Sequence, residues 1–340
     1  MKILFDIGHP AHVHLFKHFI RYLLSEGNTV IVASRDKDIT NELLKKYAIP
    51  FVSISKKKNG FFGLFIEFIE RLVRVFVLER RYKFDLAFGT SSSIGFLTLF
   101  CGVKSYNFCE DDDIAVPFHA LISYPLNTKI INSKGVKYRF WKNKRVIHNS
   151  YQKLAYLHPN RFHPDESAIR KYSLTPYSYV IVRLSALNAH HDIGAKGIDA
   201  ELLSKVISEF GDYRIIYSRE IEGSHQINIE DMHDVLYYSK MLISDSQSMS
   251  VEASCLGVPS IRYSTFVGKL SVLGQLENKY GLTFGFQLGQ EERMLEKIRQ
   301  LLSQKDLTAD YSKKRELLLQ DKCDFTEWMI NFFQSEKDLT

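Results

Sequence analysis

Ile243-Ser244-Asp245-Ser246-Gln247-Ser248-Met249-Ser250-Val251-Glu252-Ala253-Ser254-Cys255-Leu256-Gly257-Val258-Pro259-Ser260-Ile261-Arg262 reads as strand, turn, helix, turn and strand within twenty residues. The strand ends in Ser-Asp-Ser and a helix from about Ser248 opens among small hydroxyl residues. The free N–H groups of that first turn, and the positive end of the helix dipole, favour an anion. Glu252 lies one turn in, where a carboxylate can accept two hydrogen bonds from a vicinal diol. Gly257-Val258-Pro259 ends the helix and begins the next strand. A capped helix carrying a surface Glu is the plain alternative, and apolar flanks on both sides make it the weaker one.

The same alternation extends outward in both directions. Downstream of Tyr177, strands are expected at 179–184, 214–217, 241–243 and 259–262, with helices at 200–210, 232–239, 248–256 and 291–302. Upstream, strands are expected at 3–7, 29–33, 51–54, 85–88, 103–108 and 129–131, with helices at 13–24 and 36–47. Strands alternating with helices imply parallel sheets covered on both faces. The pattern weakens between Lys134 and Tyr177, a stretch with Pro159, Pro164 and Pro176 that marks a crossing between domains, with a short helix near 165–172. The expected organisation is an α/β protein of two Rossmann-like doubly wound domains with a cleft between them. They cover 1–165 and 166–320, and a C-terminal helix within 321–340 packs back on the first.

Composition agrees with this and narrows the classes. The chain has 340 residues, 45% hydrophobic and 25% charged, too long for one small core and too apolar for disorder. A net charge of +6 suits anionic small molecules or an anionic membrane face and is too weak to indicate nucleic acid. Cys101, Cys109, Cys255 and Cys323 form no CxxC pair, so a zinc ribbon is not expected. The first three sit in apolar runs and are expected as buried free thiols. The start of the chain lacks a signal-peptide pattern and no run spans a bilayer, so the expectation is cytoplasmic, with the inner membrane face as a further option.

Four further stretches carry candidate chemistry. Gly8-His9-Pro10-Ala11-His12 follows the first strand and opens the first helix, where an open α/β sheet binds ligands. His12 is the preferred general base, since imidazole titrates near working pH, with a packing or capping role for His9 and His12 as the alternative. His14 and His18 share a helix face, yet no nearby Cys or carboxylate completes a metal set. Gly89-Thr90-Ser91-Ser92-Ser93 offers backbone N–H groups at a strand-to-helix turn, or simply an N-cap. In Glu110-Asp111-Asp112-Asp113, Glu110 and Asp112 are candidates for the acceptor side, and a metal is not expected. Arg183 closes a buried strand, an unfavourable place for a charge without a partner, and with Ser185 suits a phosphate. His190 and His191 are candidates for substrate contact.

The Ser244–Arg262 stretch resembles the nucleotide-binding motif of GT-B-fold glycosyltransferases and UDP-N-acetylglucosamine 2-epimerases. The whole chain resembles a family of archaeal and bacterial GT-B-like proteins. The resemblance rests on Asp6–Phe16, Ala155–Pro159, Val182–Asp192, Asp245–Ala253 and Leu276–Leu282. It implies a nucleotide-sugar, a UDP-sugar foremost, bound on the second domain as substrate with no other cofactor. Arg183, Ser185, Asp245, Ser246, Gln247 and Ser248 would surround its diphosphate and Glu252 its ribose. His9, Thr90, Ser91, Glu110, Asp112, His190 and His191 would lie on the acceptor side. The epimerases have an acid between the Gly and Thr that stand here as Gly89-Thr90, and their E-A-G stretch is replaced by Glu110-Asp111-Asp112. Losing that acid favours inverting, metal-independent transfer, which needs one base and a stabilised leaving group. Epimerisation and non-catalytic nucleotide-sugar binding are the rivals.

Lys56-Lys57-Lys58 precedes a run whose large apolar residues include the ten Phe61, Phe62, Leu64, Phe65, Phe68, Ile69, Leu72, Val73, Phe76 and Val77, interleaved with Arg71 and Arg74 and followed by Arg80 and Arg81. A core helix accounts for most of them. Ten exceed one buried stripe, so a peripheral membrane contact through 56–81, serving a glycan or lipid-linked acceptor of surface polysaccharide or glycolipid synthesis, is the accompanying expectation.

Overall fold

A computed structural model describes residues 1–184, 197–219 and 227–337. In chain order the elements begin β1 (Lys2–Ile7), α1 (Pro10–Ser25), β2 (Thr29–Asp36), α2 (Thr40–Lys46), β3 (Val52–Lys56), α3 (Gly60–Tyr82) and β4 (Leu86–Gly89). They continue with α4 (Ser93–Cys101), β5 (Lys104–Phe108), α5 (Pro117–Ile122), β6 (Lys129–Ser133), β7 (Arg145–His148), α6 (Leu154–Leu157) and α7 (Glu166–Arg170). The next are β8 (Tyr179–Leu184), α8 (Ala200–Ser208), β9 (Arg214–Arg219), α9 (Met232–Tyr237), β10 (Met241–Ser244) and α10 (Gln247–Leu256). The last are β11 (Ser260–Tyr263), α11 (Ser271–Asn278), β12 (Thr283–Phe286), α12 (Glu291–Leu302), α13 (Leu307–Asp321) and α14 (Phe325–Lys337).

The chain divides into two units. One holds Met1–Tyr156 and the chain from Cys323 on; the other is Leu157–Lys322. The first contains a seven-stranded sheet ordered β3-β2-β1-β4-β5-β6-β7, with every pairing parallel. The second contains a five-stranded parallel sheet ordered β12-β11-β10-β8-β9. Both are doubly wound orders, and each reverses direction at one place: between β1 and β4, and between β8 and β10. Such switch points open a crevice at the carboxyl ends of the strands. The protein is thus an α/β chain of two Rossmann-like units.

In the first unit the side-chain alternation of the strands separates two cores. Phe5 and Phe88 join Phe16, Phe19 and Phe108 in an aromatic cluster that α14 extends through Phe333 and Phe325. Leu4 and Ala87, one residue away on each strand, pack with Val75 and Leu78 of α3 and Ile94 and Leu97 of α4. Right-handed crossovers place α1 and α2 on one face of this sheet and α3, α4 and α5 on the other.

Three expectations change. The weakly patterned 134–177 stretch holds β7, which is a sheet-edge strand with half-exposed residues and so lacks a continuous apolar run. Cys101 is exposed, whereas Cys109 and Cys255 are buried. It is the last residue of α4, whose terminal apolar residues face outward. Six large apolar residues of the 61–77 run, Phe62, Phe65, Ile66, Ile69, Val73 and Val77, are exposed, so the core accounts for fewer of the run than expected.

Candidate active site

In the first unit the candidate residues gather at the β1/β4 switch point. Asp6, near the end of β1, is fully buried and accepts from Arg71, Ser91 Oγ and Ser93 Oγ. Paired with it across the ladder is Gly89, where a Cβ would stand 2.9 Å from the Asp6 carbonyl oxygen; only glycine lets β1 and β4 pair this closely here. A Cβ at Gly8 would stand 3.4 Å from the Arg71 guanidinium, an ordinary van der Waals contact.

His9 is the N-cap of α1 and its Nδ1 accepts from the Ala11 N–H at 3.2 Å, which places any ring proton on Nε2. His12 lies in the first turn, where the Thr90 hydroxyl sits 2.9 Å from its Nδ1. Burial lowers the His12 pKa to about 3, and Lys153, Arg71 and Lys37 add to the effect against the opposing charge of Asp6. His9 is also lowered well below its ordinary value, by burial first and then by Lys37, His12, Lys153 and Arg35. Both imidazoles are therefore neutral at physiological pH, in a field of positive sign. Arg71 is matched by Asp6 and Arg35 by Glu67. Lys153, 7% exposed, has no carboxylate partner among the described residues. A buried ammonium of this kind favours an anionic ligand.

Of the other first-unit candidates, Thr90 and Ser91 join this cluster. Glu110 accepts from the Gln152 N–H at 2.7 Å, next to Lys153. Asp112 accepts from the Lys137 N–H, and Asp113 pairs with Arg145 at 2.8 Å. The acidic run thus ties the 137–145 segment to the end of β5. His14 stacks on Tyr156 and meets the Tyr47 hydroxyl at 3.2 Å, a packing role. Among the described residues no cluster of three His, Cys, Asp or Glu side chains is placed to hold a metal ion.

In the second unit the candidates gather at the β8/β10 switch point. Ser244 Oγ donates to the Arg183 carbonyl at 3.0 Å and accepts from the Ser246 N–H at 2.8 Å, which fixes the turn into α10. Ser246 is the N-cap and makes no side-chain cap bond, so its hydroxyl does not occupy the first-turn N–H groups of α10. Arg183 donates to Ser218 Oγ at 2.7 Å. Asp245 is buried, and a Cβ at Gly197 would fall 2.6 Å from its Oδ2. Glu252 Oε2 lies 3.9 Å from His233 Nε2 on α9, and both side chains are largely buried. Ser185, His190 and His191 lie outside the described residues.

Arg262 at the end of β11 is 2% exposed and contacts Gln247 Oε1 at 3.3 Å, Glu277 at 3.1 Å and Thr283 Oγ1 at 3.3 Å. Burial lowers its pKa to about 10. The same Gln247 keeps a buried Nε2 without a hydrogen-bond partner. Asp6, Arg71, Lys153 and Arg262 are not among the candidate residues of the sequence motifs. A charged residue near the end of a buried strand was the available signal for Asp6 and Arg262, as it was for Arg183.

Residues 1–139 match the family model described as a protein of unknown function (DUF354). No curated protein matches the chain in sequence. Among solved structures, the S. aureus MnaA protein in complex with UDP superimposes with a TM-score of 0.69 at 13% identity, over 100% of this chain and 97% of that one. The UDP-GlcNAc 2-epimerase from Neisseria meningitidis bound to UDP-GlcNAc gives 0.65 at 10% identity, over 99% and 100%. The spinosyn forosaminyltransferase SpnP gives 0.65 at 12% identity, over 98% of each chain. The fold is shared with both epimerases and glycosyltransferases, the two groups that the sequence motifs resemble.

Proposed function

We propose that the protein is an inverting, metal-independent glycosyltransferase that takes a nucleotide-sugar donor, a UDP-sugar foremost, on its second unit. The observation that carries this reading is the uncapped first turn of α10 at the β8/β10 switch point. The N–H groups there suit a diphosphate and would stabilise the charge that develops on it as the glycosyl bond breaks. Arg262 orients Gln247 at that turn, and Arg183 ends the neighbouring strand. Two of the structural neighbours were solved with UDP or UDP-GlcNAc, which supports the choice of uridine. Glu252 is assigned to the ribose diol.

On the first unit His12 is the assigned base. Its neutral imidazole takes the proton of an acceptor hydroxyl, and Thr90 orients the ring. Burial holds its pKa down first and the neighbouring cations add to that; an anionic substrate offsets the cations and so raises its basicity. Transfer is favoured over epimerisation because elimination and re-addition need a second acid–base group. Asp6 is the acid whose charge His12 feels, and it is committed to Arg71, Ser91 and Ser93.

The first test is thermal stabilisation by UDP-, GDP-, CMP- and dTDP-linked sugars. A ligand at about 100 times its dissociation constant adds about 2.7 kcal/mol, readily seen in a melting scan. The expected result is a selective shift with a uridine nucleotide, retained in His12→Ala and lost in Gln247→Ala. Absence of any shift at millimolar concentration overturns the donor site. A shift with full transfer activity in His12→Ala overturns the base assignment alone.

A further inference from the structure

The face of the first unit formed by α3, α4 and α5 is apolar on its outer side. Phe62, Phe65, Ile66, Ile69, Val73 and Val77 of α3 are all exposed, Phe62 at 79%. Their spacing of three and four residues sets them along one stripe of the helix, about 22 Å long at 1.5 Å per residue. The stripe continues onto α4, where Leu99 and Phe100 are exposed. Phe100 sits 6.0 Å from Phe76 and stacks on Phe96, which meets Phe68 at 6.0 Å, so the two helices share one aromatic surface. On α5, Phe118 (81%), Leu121 and Ile122 are exposed as well. Eleven of the nineteen exposed large hydrophobic side chains among the described residues thus lie on these three helices. The inner sides of α3 and α4 are already occupied by the sheet, through Val75, Leu78, Ile94 and Leu97.

Among the described residues, the charges of α3 that lack an ion-pair or hydrogen-bond partner are basic. The acids of α3 are engaged: Glu67 is buried on Arg35, Glu79 is buried on the Phe84 N–H, and Glu70 pairs with Lys58. Arg74, Arg80 and Arg81 are exposed and have no carboxylate partner among the described residues, and Lys56 and Lys83 are exposed at the two ends of the helix.

We propose that the α3–α4–α5 face docks on an anionic lipid bilayer, with α3 lying flat in the interface, its aromatic and aliphatic stripe in the acyl boundary and its basic ends at the headgroups. Amphipathic helices bind membranes in this way, by apolar burial plus attraction to anionic lipid. Among the described residues no helix is long and apolar enough to cross a membrane, so the contact is peripheral. A second copy of the chain fits less well, because a twofold contact along α3 brings like-charged basic rims together. The inference does not rest on the glycosyl-transfer reading, since it concerns binding without nucleotide.

Cosedimentation of the full chain with phosphatidylcholine vesicles, with and without phosphatidylglycerol, tests it. Binding is expected only to the phosphatidylglycerol vesicles, and it weakens as salt is raised. The exposed triple variant Phe62→Ser, Phe65→Ser, Val73→Ser is expected to abolish binding while leaving the melting curve and any nucleotide shift unchanged. The variant Arg74→Gln, Arg80→Gln, Arg81→Gln should weaken partitioning about a hundredfold, at about fivefold per basic residue near an anionic surface. No binding to anionic vesicles, or equal binding by the apolar triple variant, overturns the proposal. So does a dimer in light scattering that the apolar triple variant converts to monomer, since the occupant is then a second copy.

Discussion

Asp6 shows how much a single residue organises. It is fully buried and holds Arg71 of α3 and the hydroxyls of Ser91 and Ser93, so three separate stretches of chain converge on one carboxylate. Removing one partner of a buried ion pair leaves an uncompensated charge and costs about 3–5 kcal/mol, whereas replacing both by apolar groups costs far less. Arg71→Met should therefore lower the denaturation midpoint sharply, and Asp6→Leu combined with Arg71→Met should restore much of it; equal losses in the two variants would show that the pair is not the source. The histidines give a second expectation. The folded protein keeps His119 neutral down to about pH 4 and His12 to about pH 3, through burial, while the unfolded chain protonates both near 6.5. Unfolding takes up protons across that window, so stability falls as pH drops below about 6.5. Melting temperatures between pH 7 and pH 4 should decline, and less steeply in His119→Gln; a flat profile contradicts this. His12 and Thr90 were legible in sequence because they follow a strand at a recognisable turn. Arg71 was not, because its partner is 65 positions away and its own helix reads as an apolar run with arginines interleaved.

Elements were legible where burial imposes a period. β8 and α12 fall where the pattern sets them, and α10 starts one residue before the expected Ser248. α13, at Leu307–Asp321, has just three fully buried side chains, Leu307, Tyr311 and Leu318, which are too few to announce a helix among its charges. β12 is a four-residue edge strand with half-exposed Phe284 and Gly285, and its signal is equally weak. The N-terminus of α10 carries the sharpest expectation at this scale. A capping Ser usually contributes about 1 kcal/mol, and Ser246 makes no cap bond. Ser246→Ala should accordingly leave the unliganded melting temperature nearly unchanged and reduce the shift produced by a uridine nucleotide. A large loss of unliganded stability with an intact nucleotide shift would assign Ser246 to the fold rather than to the ligand.

At the scale of the whole molecule, the first unit is built from both ends of the chain. Phe325, Met329 and Phe333 of α14 are almost fully buried, and Phe333 and Phe325 reach the Phe19 and Phe108 rings of the aromatic core. Thr326 Oγ1 donates to the Ala155 carbonyl and Ser150 Oγ to that of Cys323, so the return of the chain is fixed by hydrogen bonds as well as by packing. The second unit is one continuous segment with its own sheet. Deleting a buried aromatic side chain costs about 3–5 kcal/mol, and losing several at once exceeds the stability of about 5–15 kcal/mol that a domain has in total. A chain ending at Lys322 should therefore lose the cooperative melting of the first unit, while the continuous second unit keeps its own transition and its response to nucleotide. Peptide-resolved hydrogen exchange reads this directly: β1, β4 and β5 should exchange freely in the truncated chain, and β8, β10 and α10 should stay protected. Retained protection in β1 would mean that the first sheet is stable without the aromatic layer of α14, and that the return of the chain serves something other than completing that core.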